Sequence, residues 1–218
     1  MTQKIALITG ASRGLGAAMA EQLALQGWHV IVVARTVGGL ESLDDRVKAA
    51  GMPGAGGLTL APMDVTDKDA MAHLCRSIHD RWGGLQFWAH TAIHVTALAP
   101  SPSIDGKDLD KSIATNLRAT ASLITMVEPL LLEGKGTAML MDDPAAQNRY
   151  SAAYGATKTA QIQLARNWQM ETAKTAPRVL IPTPAPMPTA TRARHYPGED
   201  RAALTDPRTE AVRLIALL

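Results

Sequence analysis

The chain has 218 residues, 46% of them apolar and 19% charged, with a formal net charge of +2. That length suits one ordinary α/β domain, and the composition excludes a disordered tail protein. With no basic stripe, no stacking-aromatic pattern and no apolar run near the ~20 residues that span a bilayer, nucleic acid and membrane are poor partners.

The single Cys75 excludes an internal disulfide and reads as a small buried apolar residue. "KIALITG" at the N-terminus is only strand length, so no secretory leader is expected, and the chain is expected to be soluble and cytoplasmic. No metal is expected.

In chain order, short apolar runs at 4–9, 29–34, 58–65, 85–91, 137–142 and 178–183 read as strands. Their continuous hydrophobicity fits strands covered on both faces, as in a parallel sheet. Helices are expected between them, near 14–26, 39–50, 67–82, 108–133 and 151–174. Repeated strand–helix units predict a doubly wound, three-layer α/β/α sandwich with right-handed crossovers. Residues 1–218 read as one domain. "GMPGAGG" (51–57) is a turn-rich connector. A Pro-rich segment follows the last strand at the carboxyl edge of the sheet, where such folds bind ligands, and 184–205 is expected to be a lid.

"TGASRGLG" follows the first strand and opens the first helix, placing Gly10, Gly14 and Gly16 with Ser12, Arg13 and Leu15. Glycines there let backbone N–H groups approach a pyrophosphate at the positive end of the helix. The second strand ends in Arg35 and Thr36, where an acidic residue would bind the ribose 2′-hydroxyl of NAD. Arg35 and Arg13 together suit a 2′-phosphate, through forked, charge-assisted hydrogen bonds, and so favour NADP(H).

Downstream, "SAAYGATKTAQ" (151–161) sets Tyr154 and Lys158 one helical turn apart. A tyrosine acts as an acid only if its pKa, about 10 when free, is brought nearer the working pH, and a lysine on the same helix face favours the phenolate. The G-x-x-x-G-x-G spacing, with Tyr-x-x-x-Lys after it, resembles the short-chain dehydrogenase/reductase family over essentially the whole chain.

That resemblance implies a nicotinamide-dependent oxidoreductase acting on a small-molecule carbonyl or alcohol, with Tyr154 as proton donor and Lys158 also bound to the nicotinamide ribose. It implies that Asn116 in "ATNLRAT" completes a proton relay, and that Asp64 and Val65 flank the adenine ring. Ala89, His90 and Thr91 stand where the family has a cofactor-contacting turn, here without its glycine. Pro184 and Thr189 match the segment that contacts the nicotinamide amide and opens the lid, where Arg192, Arg194 and His195 read as a solvated basic face or an anion site. A homodimer through helices 108–133 and 151–174 is implied, and the final strand of many members is not expected.

One position departs. The family's serine after strand five is replaced in "MDDP" by Asp142 and Asp143. An ionised Asp cannot donate to a carbonyl and raises a neighbouring tyrosine's pKa; a buried, neutral Asp can donate. Binding of an amine, an alcohol proton or a water, turn-and-cap roles, and loss of reductase activity stand beside those readings. The competing function is a non-catalytic NADP(H)-binding module.

Overall fold

The computed structural model describes residues 3–51 and 54–218, so two residues of the 51–57 connector lie outside it. Six strands form one sheet: β1 (Ile5–Thr9), β2 (His29–Ala34), β3 (Leu58–Pro62), β4 (Phe87–His90), β5 (Thr137–Leu140) and β6 (Arg178–Leu180). Their order is β3-β2-β1-β4-β5-β6 and every pairing is parallel. Chain direction across the sheet reverses between β1 and β4, which opens a crevice at their carboxyl ends.

The helices are α1 (Gly14–Leu25), α2 (Val37–Ala49), α3 (Lys68–Trp82), α4 (Gly106–Ser112), α5 (Thr120–Gly134), α6 (Ala152–Glu171), α7 (Ala190–His195) and α8 (Pro207–Ile215). Strand periodicity explains the layers. Ala6, Ile8, Val30 and Val32 point to one face, where they pack with Met19, Leu23, Leu40, Leu43 and Leu214 of α1, α2 and α8. Ile5, Leu7, Ile31 and Val33 point to the other, against Met71, Ile78, Leu123, Val127 and Trp168 of α3, α5 and α6. Cys75 is buried in this second layer. Successive side chains on a strand alternate between faces, so a sheet buried twice reads as an unbroken apolar run.

Several element boundaries differ from the sequence expectation, and three of the differences have a clear local reason. β3 stops at Pro62 because Asp64 Oδ1 accepts from both the N–H and the hydroxyl of Thr66 at 2.9 Å, which turns the chain. β6 stops at Leu180 because Pro182 and Pro184 have no N–H to give a ladder. The expected helix 108–133 is interrupted by a π-helical turn, Ile113–Ala119. There Thr120 Oγ1 takes the Asn116 carbonyl at 2.7 Å, competing with the regular helical bond.

The sheet ends at β6 among the described residues. The apolar side of α8 is covered by α1, with Ala211 and Leu214 fully buried. Arg208 and Arg46 both reach Glu21, at 3.1 and 3.0 Å, tying α8 and α2 to α1. No helix of the described residues is long and apolar enough to cross a membrane.

Candidate active site

A cleft of about 920 Å³ lies at the carboxyl edge of the sheet, over the crevice between β1 and β4. It is lined by Gly10, Ser12, Arg13, Gly14, Leu15 and Gly16 on one side and by Tyr154 and Lys158 on the other. Arg35, Thr36, Asp64, Val65, His90, Thr91, Asp142, Asp143, Pro184 and Thr189 complete the expected residues on its wall. Two expected residues lie outside the lining: Ala89, buried within β4, and Asn116, buried on the π-helical turn.

The glycine loop is shaped by close approach. Gly10 takes φ +92°, and a Cβ there would strike the backbone of Ala92. A Cβ on Gly16 would strike Thr91 Oγ1 and the Gly10 carbonyl. In the turn that lacks a glycine, the Thr91 hydroxyl donates to Thr9 O at 2.8 Å and Gly10 O at 3.2 Å, holding the end of β4 against the loop. Behind the loop α1 begins at Arg13 with no side-chain cap and no acidic residue in its first turn. Its first N–H groups therefore face the cleft without an intrahelical partner, at the positive end of the helix. These features fit a dinucleotide phosphate.

Arg13 and Arg35 are exposed at the same end, and Arg35 Nη1 stands 3.8 Å from Asp64. Asp67, rather than Asp64, caps α3, accepting from the Ala70 N–H at 3.0 Å.

The opposite wall carries a buried polar chain. Lys158 Nζ donates to Gln161 Oε1 at 2.7 Å, and Gln161 Nε2 donates to Thr120 Oγ1 at 2.9 Å. Since the Thr120 proton goes to Asn116 O, Thr120 Oγ1 must accept from His90 Nε2, 3.0 Å away. His90 Nδ1 is then the acceptor for Thr9 Oγ1 at 2.8 Å. His90 is a neutral, fully partnered imidazole, and burial pushes its pKa down to about 3, helped by the charge of Lys158. Burial also lowers Lys158 to about 8, opposed by Asp143 and Asp142.

Asn116 acts on a loop. Its Oδ1 accepts the His94 N–H at 2.7 Å, and its Nδ2 donates to His94 O, Ser112 Oγ and Thr157 Oγ1. None of these bonds goes to Lys158.

The two aspartates face different partners. Asp142 Oδ2 meets Arg166 at 3.2 Å and its Oδ1 accepts the Asp143 N–H at 2.8 Å. Asp143 Oδ1 caps the following turn through the Ala145 N–H, while its Oδ2 accepts the Tyr154 hydroxyl at 2.7 Å. Burial, then the charge of Asp143, drives the Tyr154 pKa far above that of a free phenol. Ser151 precedes α6 without capping it, and its hydroxyl points to Ala145 O.

The segment after β6 crosses the cleft and folds into α7, capped by Thr189, whose Oγ1 accepts from the Arg192 N–H at 3.2 Å. Arg192 is clamped by both oxygens of Glu199 at 2.5 Å, and Arg194 lies 3.7 Å from Asp108. The expected solvated basic face is thus largely neutralised by partners. His195 Nε2 reaches Thr96 O at 3.0 Å.

Gln161, Thr120 and Thr9 were not singled out from sequence, although Gln161 falls three residues after Lys158 on the same helix face. The hydrogen bond between His94 Nε2 and Asp108 Oδ1, at 2.6 Å, joins a loop to α4 and has no sequence signature.

The short chain dehydrogenase family model matches residues 4–200. The chain belongs to the short chain dehydrogenase family. A tropinone reductase homolog from Arabidopsis thaliana is 32% identical over 169 residues, covering 76% of this chain and 62% of the relative. A serine 3-dehydrogenase from Rhizobium radiobacter is 29% identical over 154 residues, covering 70% of this chain and 59% of the relative. The chain thus spans about three fifths of the length of these curated relatives. A metagenomic short-chain oxidoreductase in complex with NADP superposes with a TM-score of 0.80 at 25% identity, covering 98% of this chain and 89% of the other. A short-chain type dehydrogenase/reductase from Mycobacterium ulcerans gives 0.89 at 22% identity, covering 100% and 84%, a likeness of fold. Proteins of this family bind nicotinamide cofactors, and the short chain dehydrogenase cleft described above is where the glycine loop and the Tyr–Lys pair converge.

Proposed function

We propose that the chain is an NADP(H)-dependent oxidoreductase acting on a carbonyl or alcohol carbon of a small molecule, in the cytoplasm. The observation that carries this reading is the meeting of the glycine loop and the Tyr154–Lys158 pair across one cleft. In this reading Gly10, Ser12, Gly14, Leu15 and Gly16 hold the pyrophosphate, Arg13, Arg35 and Thr36 the 2′-phosphate, and Asp64 and Val65 the adenine. Ala89, His90 and Thr91 back the cofactor, with Pro184 and Thr189 at the nicotinamide amide. When bound, a reduced nicotinamide supplies the hydride.

Tyr154 exchanges the proton with the substrate oxygen, Lys158 supports the phenolate, and Asn116 holds the loop at His94 that walls the site. Asp143 stands where the family serine is expected, and Asp142 serves the turn and Arg166. Segment 184–205 acts as a lid. A homodimer through the helices spanning 108–133 and 151–174 would cover Leu132 and Met170, both exposed.

The second reading, a non-catalytic NADP(H)-binding module, is favoured by one observation: the Tyr154 proton is committed to Asp143. NADPH oxidation across a carbonyl panel decides between them. Turnover that falls at least a hundredfold in Tyr154→Phe supports the enzyme; tight NADPH binding with no turnover on any compound supports the module.

A further inference from the structure

We infer that Asp143 selects substrates carrying a protonated amine beside the reacting carbon, that is, amino ketones and the corresponding amino alcohols. The inference rests on the oxidoreductase reading and narrows its substrate class.

Asp143 and Asp142 are adjacent but electrostatically unlike. Asp142 is neutralised by Arg166. Asp143 has no lysine, arginine or histidine within ion-pair distance among the described residues. The other basic side chains on this part of the wall make their direct bonds elsewhere, although the charges of Lys158 and Arg192 act on Asp143 at longer range. Arg192 is held by Glu199, Lys158 is bonded to Gln161, and the His195 ring nitrogen meets a backbone carbonyl. Beside the carboxylate, Tyr154 is packed by Val95, Ala146 and Ile93, an apolar setting that strengthens the pull of a charge with no direct ion-pair partner.

A simple ketone is a poor guest at this point. Its oxygen lone pairs would approach a carboxylate, and the Tyr154 hydroxyl, the proposed proton donor, is bound to Asp143 Oδ2 at 2.7 Å. An ammonium group reverses both effects. Its N–H donates to Asp143 Oδ2, releasing the Tyr154 hydroxyl toward the neighbouring carbonyl oxygen. Its positive charge also offsets the carboxylate that helps to hold the Tyr154 pKa high.

The reaction then balances. Hydride from the reduced nicotinamide forms a C–H bond at the carbonyl carbon as the C=O π pair moves to oxygen. The oxygen takes the Tyr154 proton, the nicotinamide is oxidised, and the ammonium is unchanged.

Aminoacetone and butanone are near-isosteres in which an ammonium replaces a methyl group, so their kcat/KM values with saturating NADPH test the inference. The wild-type protein is expected to favour aminoacetone at least tenfold. Asp143→Asn and Asp143→Ser, which both keep a turn-capping oxygen, should cut that preference roughly ten- to hundredfold, as loss of a charged hydrogen bond does. Equal or better use of butanone by the wild type overturns the inference and leaves the oxidoreductase reading standing. So does a preference that survives both substitutions.

If NADPH binds but neither compound turns over, the carbonyl panel alone decides the oxidoreductase reading, and the selection by Asp143 is read from binding instead. Calorimetric titration of isopropanolamine and of sec-butanol into the NADP-loaded protein then decides. Binding confined to the amino alcohol and lost in Asp143→Ser supports the selection of a cation by Asp143. Equal binding, or none, overturns it.

Discussion

The imidazole of His195 stands edge-on to the phenol of Tyr154, with ring centroids 5.4 Å apart and planes at 70°. Since His195 also reaches Thr96 O at 3.0 Å, one side chain on α7 touches both the proposed acid and the loop that Asn116 anchors. The segment over the cleft is thus fastened at the chemistry as well as through the pairing of Arg194 with Asp108.

Replacing His195 by Ala should therefore loosen that segment without disturbing the nucleotide end. An edge-to-face aromatic contact contributes about 0.5–1.5 kcal/mol, so the substrate KM is expected to rise roughly two- to tenfold. Steady-state kinetics with a parallel NADPH titration checks this; an unchanged KM would contradict the fastening role.

Gly16→Ala places a methyl group against Thr91 Oγ1 and the Gly10 carbonyl. Overpacking of this kind costs about 1–3 kcal/mol, and here it would push apart the loop and the end of β4. A lower melting temperature and at least tenfold weaker NADPH binding by calorimetry are the expected outcomes. Gly38→Ala, where nothing lies within 4 Å of a new Cβ, is the control and should leave NADPH binding unchanged without lowering the melting temperature.

For Arg35→Ala the expected effect is selective. NADPH affinity should fall roughly tenfold, the order of one charge-assisted bond to phosphate, while NADH affinity should be unchanged or improved. Equal losses for both nucleotides would locate the 2′-phosphate elsewhere.

His90 gives a pH dependence whose sign is fixed by burial. Its folded pKa, about 3, lies below the 6.5 of an ordinary histidine, so between those limits the unfolded chain binds the extra proton. Its stabilising contribution is complete above about pH 6.5 and is lost progressively as pH falls toward 3. By pH 5 the loss from this residue should be about 2 kcal/mol. Urea unfolding at pH 7 and pH 5 measures it. His90→Asn should be less stable at pH 7, because the chain from Thr9 to Thr120 is broken, yet should lose less on acidification.

Much of this architecture is legible in the sequence because a parallel sheet buried on both faces leaves unbroken apolar runs such as "HVIVVA". The glycine loop is equally legible, since close backbone approach tolerates no side chain. What escaped notice arises from side chains acting across the fold. The π-helical turn depends on Thr120 competing for the Asn116 carbonyl, which no helical periodicity reveals. The short α7 was hidden by the prolines around it, although Thr189 is a suitable cap. Asp142 and Asp143 looked equivalent in "MDDP", and only the placement of Arg166 and Tyr154 separates their roles.

The bare N-terminus of α1 carries a consequence for the protein's lifetime. α3, α4, α7 and α8 each begin with a side chain that satisfies a first-turn N–H; α1, like α2 and α6, does not, and its N-terminus opens on the cleft, where an anion can take that place. A nucleotide phosphate seated there would complete the helix, so loading and folding become one equilibrium. At a hundredfold excess over Kd such a ligand adds about 2.7 kcal/mol of stability. The amount of this protein that survives proteolysis should then follow the nucleotide concentration around it.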